Sequence, residues 1–255
     1  MAMADILRCE VCGEELFFPE ADFMGRKITM KRACRCQRED RERKENERLE
    51  RERHYKREKA RAYCFKEYQD YMSCTFDADD MKEPNLSKQM QNYAAKFDRF
   101  LKEGNGLLFC GNVGAGKTFY SACIANKLID DGYSVMFSNF VTMIQRIQGE
   151  AFKGLPIMDE IRKCDLLIID DLGVERDTEF MREHVFNIID TRYRMGKPII
   201  VSTNLTGDEL KNPKDVTSSR IYSRIMERCL PIVFNGPNRR KRKANYQEML
   251  EALND

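Results

Sequence analysis

The residues best suited to chemistry are Gly111-Asn112-Val113-Gly114-Ala115-Gly116-Lys117-Thr118. This string follows the apolar run Leu107-Leu108-Phe109-Cys110 and opens an amphipathic stretch. In that strand, loop and helix setting, glycine backbone N–H groups can curl around a β-phosphate, and the helix N-terminus adds unpaired donors and partial positive charge. Lys117 supplies a point charge for the β- and γ-phosphates and Thr118 a hydroxyl for magnesium, so ATP with magnesium is the expected ligand. A glycine-rich turn that binds nothing is the alternative. Further along, DLLIIDDLG brings Asp170 and Asp171 to the end of a buried strand, where two carboxylates are costly without a cation or a shared proton. Asp170 suits the magnesium shell and Asp171 suits orienting and deprotonating an attacking water, unless both merely cap the strand end.

A second constellation lies near the start. Cys9-x-x-Cys12 and Cys34-x-Cys36 offer four thiolates in two close pairs, the spacing of a Cys₄ zinc site. With every position filled by sulfur, such a zinc is structural. Four unrelated reduced thiols are the other reading, but a small loop-rich unit that cannot build a core from its own apolar residues needs a staple. His54 and His184 have no partners at metal spacing.

The elements that must position these groups follow from patterning. Five short apolar runs, at 106–110, 134–138, 165–170, 198–202 and 230–234, read as strands covered on both faces. Amphipathic stretches at 117–130, 140–152, 178–195 and 215–229 alternate with them. This predicts an α/β fold, a doubly wound and mainly parallel five-stranded sheet. Ahead of it, residues 37–62 form a Gly- and Pro-free run of mixed charge with many Glu/Arg pairs three or four apart, which predicts an exposed helix, either a spacer or a partner-binding element. A helical stretch is expected to run through Phe97 and Phe100 to a break at Gly104. The expected division is 1–62, a zinc-binding module with a charged helix, and 63–255, the nucleotide-binding domain.

The formal charge is +2, from 44 basic and 42 acidic residues, so attraction to a polyanion must come from clustering. Neither a secretory signal nor a run long enough to cross a bilayer is present, which leads to the expectation of a cytoplasmic protein with reduced cysteines and no membrane partner.

Beyond the loop, PIIVSTN ends at Asn204, SSRIYSRIMERC carries Arg220 and Arg224 four apart, and FNGPNRRKRK follows the last apolar run. With the loop, the acidic strand and the segment TFDADD, this order of motifs resembles the AAA+ P-loop ATPases of the bacterial and phage replicative helicase loader group, the DnaC and DnaI proteins, over residues 63–243. The resemblance implies a sensor role for Asn204, which could otherwise cap a following helix. It implies an arginine finger at Arg224, with Arg220 as second choice, reaching into a neighbouring subunit's site. It implies a sensor II arginine at Arg240, or Arg239 one residue earlier. A finger acting in trans implies a homo-oligomer or mixed assembly. It further implies an ATPase that loads the hexameric replicative helicase onto single-stranded DNA, with residues 1–62 gripping the helicase. The Asp-Asp pair, where many AAA+ proteins carry Asp-Glu, suggests slow, partner-gated turnover, and the short stretch after Lys243 suggests no helical lid.

The run Arg239-Arg240-Lys241-Arg242-Lys243 could neutralise phosphates of a single strand, or be a solvated tail with one arginine serving ATP. Rival readings are an IstB-type transposition helper ATPase, a small-molecule P-loop kinase, and a non-hydrolysing adaptor switched by ATP.

Overall fold

In the computed structural model the described residues are 8–16, 21–24, 26–28, 32–149, 156–173, 178–239 and 250–253. The chain separates into two units, 1–58 and 59–255.

In the first unit β1 (Ala21–Phe23) and β2 (Arg26–Ile28) pair antiparallel, and Arg8 and Glu15 form an isolated bridge. The helix α1 (Arg35–Cys64) begins here, and the division falls within it, after Glu58. Glu14 accepts a hydrogen bond from the Arg35 N–H at 2.6 Å, satisfying one of the donors a helix start leaves open. From Arg41 to Arg57 every α1 residue is exposed. Pairs such as Lys44–Asp40 (2.7 Å) and Arg48–Glu45 (2.7 Å) line its surface, as the charge spacing predicts.

The second unit continues with α2 (Pro84–Ala95) and α3 (Phe97–Glu103), then β3 (Gly106–Gly111), α4 (Lys117–Asp130) and β4 (Val135–Asn139). There follow α5 (Phe140–Gly149), α6 (Ile157–Lys163), β5 (Leu166–Leu172) and α7 (Glu179–Met195). The last elements are β6 (Ile199–Thr203), α8 (Gly207–Lys211), α9 (Val216–Arg228) and β7 (Cys229–Phe234). The expected single helix before Gly104 is two, interrupted at Lys96, so that Tyr93 stacks on Phe100 (4.7 Å) while Phe97 meets Tyr133 edge-on. Residues 150–152, expected to extend α5, lie outside the described residues.

The five strands form one sheet in the order β4-β5-β6-β3-β7, and every pairing in it is parallel. Alternation along each strand sends side chains to opposite faces. Leu107, Phe109, Val135, Phe137, Leu166 and Ile168 join one buried cluster with α2, α3 and α4. Leu108, Met136, Leu167, Ile169, Ile199 and Val201 join the other, with α5 to α9. Helices on both faces of a parallel sheet make the architecture doubly wound.

Two polar devices fix this unit. Thr178 caps α7 and Asp215 caps α9, the latter accepting from Ser218 N–H at 2.9 Å. Arg192, fully buried on α7, donates to the carbonyls of Ile161, Cys164, Asp165 and Pro198 at 2.6–3.0 Å, joining the end of α6 to the starts of β5 and β6. Carbonyl acceptors for both Nη groups are what make this buried guanidinium tolerable, while its Nε has no hydrogen-bond partner among the described residues.

Candidate nucleotide site and cysteine cluster

The nucleotide site lies at the carboxyl end of the sheet, where a doubly wound fold opens its crevice. The chain leaves β3 at Gly111, turns through residues 112–116 and enters α4 at Lys117. Gly114 (φ 77) and Gly116 (φ 106) take backbone angles that side chains resist, and a Cβ on Gly114 would collide with Asn238. The loop borders a cavity of about 390 Å³. Its floor is Val113, Gly114 and Gly116 to Phe119, one wall is Tyr71 and Ala78 to Asp80, and Asp171, Asn204 and Arg239 complete it. Gly111, Asn112 and Ala115 shape the loop without lining the cavity.

Lys117 is buried, its Nζ donating to Gly111 O (2.7 Å), Asn112 O (2.9 Å) and Asn204 Oδ1 (2.7 Å). The hydroxyl of Thr118 donates to Asp170 Oδ2 at 3.0 Å, bringing two candidate magnesium ligands together from elements 52 residues apart. Asp170 is buried, and burial raises its pKa above the ordinary carboxylate range, against the lowering effect of the Ser202 hydroxyl that donates to it. A buried, destabilised carboxylate touching a hydroxyl fits a divalent cation, which would favour its charged form.

Asp170 and Asp171 are adjacent in sequence but not in environment. The register of β5 against β6 shifts between Ile169 and Leu172, and Asp171 adopts φ 57 there. This bulge turns Asp171 outward, exposed at the cavity, while its N–H donates to Ser202 Oγ (2.9 Å). A non-glycine residue held in the left-handed region beside a cavity is strain of the kind found at functional sites.

The arginines are distributed differently. Arg239 lines the cavity, whereas Arg240 and the residues through Lys243 lie outside the described residues. Arg224, away from the cavity of its own chain, pairs with Asp190 on α7 (2.8 Å) and lies over the Phe186 ring (4.5 Å). Arg220 on the same helix is exposed with no ion pair among the described residues. Sequence patterning missed Tyr71, Asp79 and Asp80 as cavity wall; the TFDADD string was the one signal pointing to the two aspartates, and it does not include Tyr71.

In the first unit the sulfurs of Cys9, Cys12, Cys34 and Cys36 all lie within 4.8 Å of one another, with Cys34–Cys36 at 3.2 Å and Cys9–Cys36 at 3.4 Å. Zinc–sulfur bonds of about 2.3 Å in a tetrahedron need sulfurs roughly 3.8 Å apart, so the donor set fits that ion. Backbone N–H groups of Cys12 and Val11 lower the Cys9 thiol to about 6, while neighbouring sulfurs raise Cys36. Four thiolates this close repel one another, and a dication relieves that repulsion.

The family described as IstB-like ATP binding protein matches residues 42–246. The chain is 29% identical over 189 residues to the replicative helicase loader DnaI of Bacillus subtilis (strain 168), covering 68% of this chain and 60% of that protein. It is 24% identical over 183 residues to the replicative helicase loader DnaC of Escherichia coli (strain K12), covering 68% of this chain and 71% of that one. The crystal structure of DnaI superposes with a TM-score of 0.55 at 26% identity, over 68% of this chain and 93% of that one. The match therefore spans less than two thirds of the DnaI protein's own length.

Proposed function

We propose, from the premise that the chain belongs to the IstB-like ATP binding protein family, that it is an ATPase that loads a hexameric replicative helicase onto single-stranded DNA. The observation that carries this reading is the convergence of Lys117, Thr118, Asp170, Asp171 and Asn204 on one cavity edge, in a chain similar to two replicative helicase loaders.

In this reading Lys117 exchanges its carbonyl contacts for the β- and γ-phosphates, and the loop N–H groups hold the phosphate chain. Thr118 and Asp170 hold magnesium, which when bound neutralises charge on the phosphates. Asn204 orients the attacking water, and Asp171, free at the cavity, takes its proton. A carboxylate one methylene shorter than glutamate reaches less far, so turnover is slow until a partner adjusts the geometry. The sensor II role falls to Arg240 or to Arg239, and the place of Arg239 at the cavity supports the latter. Arg224 completes a neighbouring subunit's site only by leaving Asp190. Arg220 has no such bond to break and is its rival for that role. The active form is then a homo-oligomer or a mixed assembly, and the protein works in the cytoplasm.

The cysteine cluster holds a structural zinc, and residues 1–62, zinc module and charged helix together, grip the helicase. The rest of the basic run, 240–243, contacts the DNA backbone without reading bases. A second reading is an IstB-type helper of transposition, in line with a 31% identity over 135 residues to a putative insertion sequence ATP-binding protein of Sinorhizobium fredii. Pull-down against a replicative helicase and a transposase separates the two. Capture of the helicase with ATP supports the loader, and capture of the transposase alone overturns it.

A further inference from the structure

Arg239 joins two stretches of the second unit that are distant in sequence. Its Nη1 donates to Asp80 Oδ1 at 3.0 Å, and its Nη2 lies 3.3 Å from Glu83 Oε1. Its backbone N–H donates to Gly114 O of the phosphate loop at 2.9 Å, and Asn112 N–H donates to Phe234 O at 3.1 Å. The strap 234–239 is thus fastened to the loop through backbone and to the segment before α2 through a guanidinium. The fit there is close: Gly236 is buried, and a Cβ on it would come within 2.6 Å of Glu83 Oε1. Arg239 lines the cavity with its side chain only 15% exposed, and its Nε is buried with no hydrogen-bond partner among the described residues. A buried donor left unmet is costly, and this one has an anion-binding cavity beside it.

We propose that Asp80 and Glu83 are positioning residues that clasp Arg239 at the lip of the nucleotide site, and that the clasp holds down the preference for triphosphate over diphosphate that a released Arg239 gives. The inference rests on the ATP reading of that site. Asp79, Asp80 and Glu83 stand at this lip against Arg239 and Lys82, whose Nζ lies 3.2 Å from Asp80 Oδ2, so the lip stays net negative and an incoming anion must take Arg239 from its carboxylates rather than simply add to it. A γ-phosphate carries the charge and the acceptor oxygens to do so, and it can meet the Nε that the carboxylates leave unsatisfied. A diphosphate lacks that group and leaves the clasp closed. Because Arg239 is also tied to Gly114 through its backbone, the exchange moves the guanidinium without releasing the strap from the loop.

The test measures magnesium-ATP and magnesium-ADP affinities of the full chain by calorimetry, without helicase or DNA. Four proteins are compared: the natural sequence, D80N/E83Q, R239Q, and all three substitutions together. The double variant should tighten ATP binding by about tenfold and change ADP binding less than about twofold. Through-space charge alone would give the same gain whether or not Arg239 is present, whereas the clasp requires a gain several-fold smaller in the R239Q background. Equal gains in both backgrounds overturn the proposal. So does a parallel loss of ATP and ADP affinity in D80N/E83Q, the signature of a merely structural pair. Absence of nucleotide binding by the natural sequence would instead overturn the ATP reading, so the two failures are distinguishable.

Discussion

Among the described residues of 1–58, only Cys9, Leu16 and Cys34 make a buried apolar cluster. Residues 59–255 bury two such clusters, one on each face of a five-stranded sheet. The three described residues buried there offset little of the entropy of ordering a chain, and bonds from the four cysteines to the proposed zinc would add to that offset. The larger unit has the reverse arrangement. Its two buried clusters flank the sheet, and its polar site sits at the carboxyl edge of that sheet. Removal of a ligand should therefore unfold one unit and merely empty the other.

The largest expected effect breaks the comparison at the cysteines. Chelation, or Cys34→Ser, should remove a folding contribution on the order of 10 kcal/mol and abolish protection of the first unit in hydrogen exchange. The ATP affinity and melting transition of the second unit should stay as they were. Next is Phe109→Ala, which empties a fully buried position on β3 packed against the Phe234 ring. It should cost the second unit about 3–5 kcal/mol in denaturant unfolding while zinc content is unchanged. Lys117→Ala sharpens the contrast, since it should weaken ATP binding by roughly 2–3 kcal/mol in calorimetry without loss of fold.

The smallest effect concerns Asp170. Burial raises its pKa in the folded state, so without magnesium its ionisation opposes folding. Below the ordinary carboxylate range the group is protonated folded and unfolded and costs nothing. As pH rises through that range to the folded pKa, the unfolded chain ionises first and stability falls, then levels off. Asp170→Asn should escape this loss, raising metal-free stability at neutral pH by about 1 kcal/mol while abolishing magnesium-dependent hydrolysis. Chemical denaturation at several pH values, alongside phosphate release, checks both.

What the sequence revealed follows the range of the interactions involved. The phosphate loop, the five strands and the Cys₄ spacing are local patterns, and a reader of the chain meets them intact. The cavity wall is not local: Tyr71, Asp79 and Asp80 arrive from before the sheet, and Arg239 from after its last strand. The split between Asp170 and Asp171 depends on a bulge against β6, which nothing in DLLIIDDLG announces. Arg224 and Arg220 look equivalent four residues apart, and only the packing of α9 on α7 supplies Asp190 and Phe186 to one of them. Arg192 gave no signal, because its partners are backbone carbonyls.

The most direct test of the account is helicase loading on circular single-stranded DNA, counted as helicase retained with and without ATP. The natural sequence should load only with ATP, Lys117→Ala should bind the helicase but fail to load it, and the zinc-stripped protein should bind ATP but not the helicase. Loading that persists in Lys117→Ala, or helicase capture that survives loss of the cysteine cluster, would contradict the division of labour between the two units.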